Sequence, residues 1–178
     1  MTDPTSAALS PEHASVIRDF LTQALRSEHP VTRRVIEAIP SDKSEYKPDA
    51  VVKSAIDLAW HIVGAEHRFI EAVISGAFDF TNTGRPANLR TPNDISRWCA
   101  ETFDHDMTRL AAVSAEQLST PIDFRGLFRR PAVTFLQIGL SHSIHHRGQL
   151  SMYLRPMGAK VPAIYGESYD TAQAKQAT

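Results

Sequence analysis

Ser141-His142-Ser143-Ile144-His145-His146-Arg147-Gly148-Gln149-Leu150 sets three histidines within five residues of an otherwise helix-forming segment. At about 100° per residue, His142 and His146 share a face one turn apart, with Cβ atoms about 5–6 Å from each other. That spacing lets both imidazoles reach one metal ion. His145 is turned about 60° from His142 and about 100° from His146, so it reads as a surface or supporting group. Around this stretch, Phe135, Ile138, His142, His146, Gln149 and Tyr153 lie within about 40° of His142 on a helical wheel. Val133, Leu136, Leu140, Ile144 and Leu154 fall nearly opposite. A helix that is apolar on two sides is buried on two sides. One face is expected to enter a bundle core and the other to meet a second subunit in a homodimer, with contact inside the same chain as the alternative.

The other elements are read outward from this helix, which is expected to start at Pro131 and run to about Arg155. Ser10-Pro11-Glu12 has the form of a helix start, a hydroxyl cap followed by proline and an acid. Val16, Ile17, Phe20, Leu21 and Leu25 then recur at helical spacing. Pro30 is expected to kink or break this helix, after which Val35, Ile36 and Ile39 resume the pattern as far as Pro40. A second helix is expected from about Ser54 to Ser75, capped by Gly76. Thr91-Pro92-Asn93-Asp94 opens a third, carrying Ile95, Trp98, Phe103, Met107 and Leu110. Residues 77–90 and the stretch holding Pro121 and Gly126 read as loops, no strand alternates, and the chain after Gly158 reads as a tail without helical periodicity. Four long helices make this an all-α four-helix bundle.

Composition narrows the function. The 178 residues suit one domain with a real core, and 19 basic against 20 acidic residues form no basic block, so a phosphate-contacting nucleic-acid role is not expected. Cys99 is the single cysteine; with Trp98 and Ala100 beside it, it reads as a buried structural thiol. No apolar leader is visible between Met1 and Ser10, and Asp57 and His61 interrupt the best apolar run, so neither a signal peptide nor a membrane span is expected. The expectation is a cytoplasmic protein that acts on a small molecule, with no nucleic acid and no membrane as partner.

Two helical histidines are half of a catalytic metal site, which generally takes three protein ligands and leaves a position open. His61 is the best third candidate, mid-helix among Leu58, Ile62, Ala65 and Phe69 on its own side of the wheel. His13 is near a terminus, His29 adjoins Pro30, His67 lies on a more polar flank beside Glu66 and Arg68, and His105 sits between Asp104 and Asp106. The metal set is therefore His61, His142 and His146. Gln149 and Tyr153 share the ligand face and are candidates to orient water or substrate, against an ordinary packing role. Asp57, one turn before His61, either supports a ligand or faces solvent. Arg147 points away from the histidines and suits a structural contact or a subunit boundary, Gly148 a close helix approach. Glu66 is about 140° from His61, poorly placed to ligate.

Leu58-Ala59-Trp60-His61-Ile62-Val63-Gly64-Ala65-Glu66 resembles the helix-two segment of the DinB/YfiT-like superfamily, with its single metal histidine. His142-Ser143-Ile144-His145-His146-Arg147-Gly148-Gln149-Leu150 is similar to that family's C-terminal signature, as are the following Tyr153-Leu154-Arg155, Gly158, Val161-Pro162 and Ile164-Tyr165-Gly166. The resemblance runs from the first helix to Gly166. It implies an up-down-down-up bundle over 1–178, with 1–10 and 167–178 as flexible tails, and a metal triad on His61, His142 and His146. It further implies a divalent metal, zinc or nickel first, with manganese or iron also open, and a low-molecular-weight thiol as cosubstrate. The implied activity is S-transfer, in which a metal-bound thiolate attacks an electrophilic substrate. Hydrolysis by metal-activated water, or a non-enzymatic, stress-related metal-stabilised module, are the alternatives.

Overall fold

Caps written into the sequence set the helix boundaries of the computed structural model, which describes residues 9–176. Helix α1 spans Pro11–Glu37, where the Ser10 side chain accepts from the His13 amide and Pro11 fills the first turn. Helix α2 spans Ala55–Ser75 behind Ser54 and closes on Gly76, whose φ of 82° is the left-handed conformation that favours glycine. Helix α3, Pro92–Ala111, opens with a reciprocal Thr91–Asp94 capping box. A short α4 (Ala115–Ser119), a hairpin of β1 (Pro121–Phe124) and β2 (Phe128–Pro131), α5 (Thr134–Leu154) and α6 (Tyr169–Gln176) follow.

Side-chain pairings give the helix directions. Trp60 meets Trp98, His67 meets Asp106 and Glu71 meets Arg109, so α2 and α3 run parallel. Arg33 meets Ser96 while His29 meets Phe103, so α1 runs against α3. His61 meets His146 while Phe69 abuts Gly139, so α2 runs against α5. The order is up-down-down-up. Its parallel middle pair requires the long connection through residues 76–91, which crosses the length of the bundle.

Several local expectations give way to packing. Pro30 lies inside a continuous α1. Proline in a helix interior costs about 3 kcal/mol, but Val31, Val35 and Ile36 just beyond it are buried, and burying each such side chain contributes about 1.5–3 kcal/mol. The stretch around Pro121 and Gly126 is not only loop but a two-stranded hairpin, and Pro131 ends β2 opposite Pro121 rather than opening α5. Four-residue strands are too short to show an alternation. The segment after Gly166 forms α6, held by Asp170, whose carboxylate pairs with Arg155 and accepts from the Val161 amide. Residues 1–8 of the expected N-terminal tail lie outside the described residues.

The second apolar face of α5 is covered within the chain. Leu136 and Leu140 are buried with Leu21 and Leu25 of α1 in one core cluster, so that face gives no reason to invoke a second subunit. On α1 it is Leu21 and Leu25 that enter the core, while Val16 and Phe20 stay 64% and 71% exposed. The close helix approach falls at Gly139, where a Cβ would lie 2.8 Å from the Cβ of Phe69, and not at Gly148, where a Cβ would meet nothing. Among the described residues, no helix is long and apolar enough to cross a membrane.

Candidate functional site

Antiparallel packing of α2 on α5 brings His61 onto the face that carries His142 and His146. One ring nitrogen from each lies within 4.8 Å of the others, and no fourth histidine, cysteine or carboxylate among the described residues joins the group. The Nε2 atoms of His61 and His142 are 3.1 Å apart. Two nitrogens bound to one tetrahedral zinc at about 2.0–2.1 Å would be about 3.3 Å apart, so the observed spacing is near that of a ligand pair. His146 turns its Nδ1 to Gln149 Oε1 at 2.9 Å. With the Nδ1 proton donated there, its Nε2 lone pair is free for a cation.

The electrostatics keep these rings ready to ligate. His61 and His142 are both pushed down to about 4, first by burial and then by the neighbouring His146. Near pH 7 they are neutral, and a neutral imidazole has one acceptor nitrogen. His142 Nδ1 is buried with no hydrogen-bond partner among the described residues. When both Nδ1 atoms carry the proton, the two Nε2 lone pairs face each other, an arrangement that a shared cation resolves. The residues fit a divalent metal.

The remaining expectations sort clearly. His13, His105 and His145 are exposed. His29 is buried and stacks on Phe103 at 3.9 Å. His67 Nδ1 pairs with Asp106 at 2.7 Å. Asp57 belongs to the loop contacts, its carboxylate accepting from Arg85 Nε at 3.1 Å. Arg147, 1% exposed, makes a structural contact: it pairs with Glu28 at 2.6 Å and donates to the Tyr165 hydroxyl at 2.6 Å. Tyr153 is buried and meets Tyr46 edge-on; burial raises its hydroxyl pKa and the facing Gln149 side chain opposes that rise. Of the two supporting candidates, Gln149 alone touches a histidine of the group. Cys99 is buried, and burial lifts its thiol well above the ordinary range, with Glu66 adding to the effect. Cys99 is a packing residue.

A cleft of about 320 Å³ opens onto His61 and His142. One wall is aromatic: Phe78 packs edge-on against Phe69 and Phe124, and stacks on Phe80. Phe78 and Phe80 come from the loop after α2, anchored where Trp60 donates to the Thr83 carbonyl at 3.1 Å. Phe124 comes from the hairpin. Lys53, Arg68 and Arg125 supply the charge, and among the described residues no carboxylate lines the cleft. Sequence reasoning missed this wall because its residues lie on segments that carry no helical period; the close run Phe78-Asp79-Phe80 was the one available hint.

Comparison with known proteins agrees with this architecture. The family described as DinB matches the chain over residues 13–177. The uncharacterized protein YjoA of Bacillus subtilis (strain 168) is 31% identical over 135 residues, spanning 74% of this chain and 85% of that protein. The crystal structure of a DinB-like protein, YjoA from Bacillus subtilis, aligns with a TM-score of 0.67 at 27% identity, over 83% of this chain and 99% of that one. A DinB-like protein from Bacillus cereus ATCC 10987 aligns with a TM-score of 0.69 at 22% identity, over 82% and 95% of the two chains, a likeness of fold alone.

Proposed function

This chain belongs to the DinB family, and on that premise we propose that it is a metal-dependent S-transferase in which His61, His142 and His146 hold a divalent cation and a small thiol is added to an electrophilic substrate. The observation that carries the reading is the convergence of three histidine ring nitrogens, two of them from residues that line an open, aromatic-walled cleft, His61 and His142. A divalent metal held by three neutral ligands keeps its full charge and supplies the electrophilicity that ionises a bound thiol near neutral pH. Zinc and nickel are among the metals that suit an imidazole set. The chain's own contribution is positional. Gln149 fixes the tautomer of His146, burial keeps His61 and His142 neutral, and the phenylalanine wall excludes water from one side of the reacting groups.

The same three neutral ligands would lower the pKa of bound water as they would that of a bound thiol, so hydrolysis shares this site. It is the open cleft that favours catalysis over a structural role. A purely structural metal is usually enclosed by four protein ligands, whereas this group has three among the described residues and faces a cleft.

The test is metal content per chain, for wild type and His142→Ala purified alike without chelator or affinity-tag histidines. The reading expects about one metal per chain in wild type, lost in the variant, and thiol consumption with an electrophile only in the loaded protein. Wild type that takes up no zinc, nickel or manganese overturns it.

A further inference from the structure

Arg68 and Arg125 line the cleft that opens onto His61 and His142, and among the described residues neither forms an ion pair with an acid. Asp79 acts on Arg68 electrostatically without forming an ion pair with it. The backbone places Arg125 deliberately. It leads the hairpin turn with a φ of 56°, followed by Gly126 at 70°, in a turn closed by the Gly126 amide on Asp123 and the Leu127 amide on the Phe124 carbonyl. A left-handed backbone is strained for any residue other than glycine. Its guanidinium lies 3.9 Å from the centroid of the Phe80 ring. Burial, and then Arg125, lower the pKa of Arg68. Two guanidinium groups, with Lys53 on the same lining, thus share one cleft with no ion-paired acid among the described residues, an arrangement that an anionic ligand would relieve.

We propose that Arg68 and Arg125 form an anion subsite that takes the carboxylate of a small aromatic acid, whose ring lies against Phe78, Phe80 and Phe124 and whose other end reaches the histidines. Guanidinium groups match a carboxylate with paired N–H donors. A cleft of about 320 Å³ is at the small end of ligand sites. The aromatic wall makes the acid the electrophilic partner, because a small polar thiol has no body to cover it. This last assignment rests on the S-transfer reading; the anion subsite does not.

The experiment is binding of 2-naphthoate and its uncharged counterpart 2-naphthalenemethanol, followed by calorimetry on the full chain. Wild type, Arg68→Gln, Arg125→Gln, His142→Ala and the control Arg129→Gln are compared; Arg129 sits on the same hairpin outside the cleft. The proposal expects the acid to bind at least about tenfold more tightly than the alcohol, and each cleft variant to weaken the acid about tenfold while leaving the alcohol unchanged. Arg129→Gln should bind both as wild type does. Retention of the preference in His142→Ala separates the subsite from the metal site, so either can fail without the other. Equal affinity for acid and alcohol, no binding of the acid at millimolar concentration, or a preference lost in His142→Ala but kept in both cleft variants overturns the proposal. If Arg68→Gln fails to fold, exposed Arg125 alone decides the matter.

Discussion

A histidine kept neutral by its surroundings leaves a mark on stability that can be measured with no metal present. In the folded chain His61 and His142 titrate at about 4, against about 6.5 once unfolded. Between those values the unfolded chain binds more protons, so metal-free stability should fall as the pH drops from about 6.5 towards 4 and gain nothing further from these rings above that window. Urea midpoints across the window, in the presence of chelator, should show this slope in wild type and a shallower one in His142→Gln; equal slopes would count against neutral rings. Gln149 acts through His146, and outer partners of metal-bound histidines typically account for about 10–100-fold in affinity. Gln149→Leu should therefore weaken zinc binding by at least about tenfold in a competition titration, while Tyr153→Phe leaves it near wild type. Among the described residues, the candidate site was legible because all three histidines lie mid-helix, where a 100° rotation per residue predicts direction. The limit of that reading is Arg68: its rotation is just as predictable, but what faces it is a hairpin 57 positions later, which no period announces.

At the scale of elements, two glycines in α5 make opposite predictions. Gly139 lets α5 close on α2, since an added Cβ would come within 2.8 Å of Phe69. Gly139→Ala should cost about 1–3 kcal/mol by overpacking and should also weaken metal binding, because Phe69 lies between that contact and His142, 5.9 Å from its ring. Gly148→Ala adds a methyl to an exposed helical position with free space around it, and should stabilise by about 0.5–1 kcal/mol. Chemical denaturation of the two variants decides the pair. In the sequence Gly148 stands out because it sits in a distinctive motif, and only the partner helix shows that Gly139 is the crowded glycine. Pro30 carries the same lesson in reverse. Its local cost is real, and the buried Val31, Val35 and Ile36 that overcome it can be weighed only once the core is known.

For the molecule as a whole, the histidine group is a clasp between α2 and α5, 81 residues apart in sequence at the His61–His142 contact. Helix existence and bundle class were legible because apolar residues recur every three to four positions. The up-down-down-up order is implied in the sequence by resemblance alone, and the pairings of α2 with α3, of α1 with α3 and of α2 with α5 supply it directly. A clasp of this kind exists only in the assembled bundle, because unfolding separates its two halves. A metal binding there should therefore stabilise by mass action, about 2.7 kcal/mol when free metal is a hundredfold above its dissociation constant. At about 2–4 °C per kcal/mol for a chain of this size, zinc or nickel should raise the Tm by about 5–10 °C. Thermal unfolding of wild type and His142→Ala, each with and without metal, isolates the effect: the variant should show little of the rise, since α2 and α5 then share only two of the three nitrogens. A rise of equal size in both proteins would place the metal elsewhere on the chain, and would leave the clasp as a contact between neutral rings.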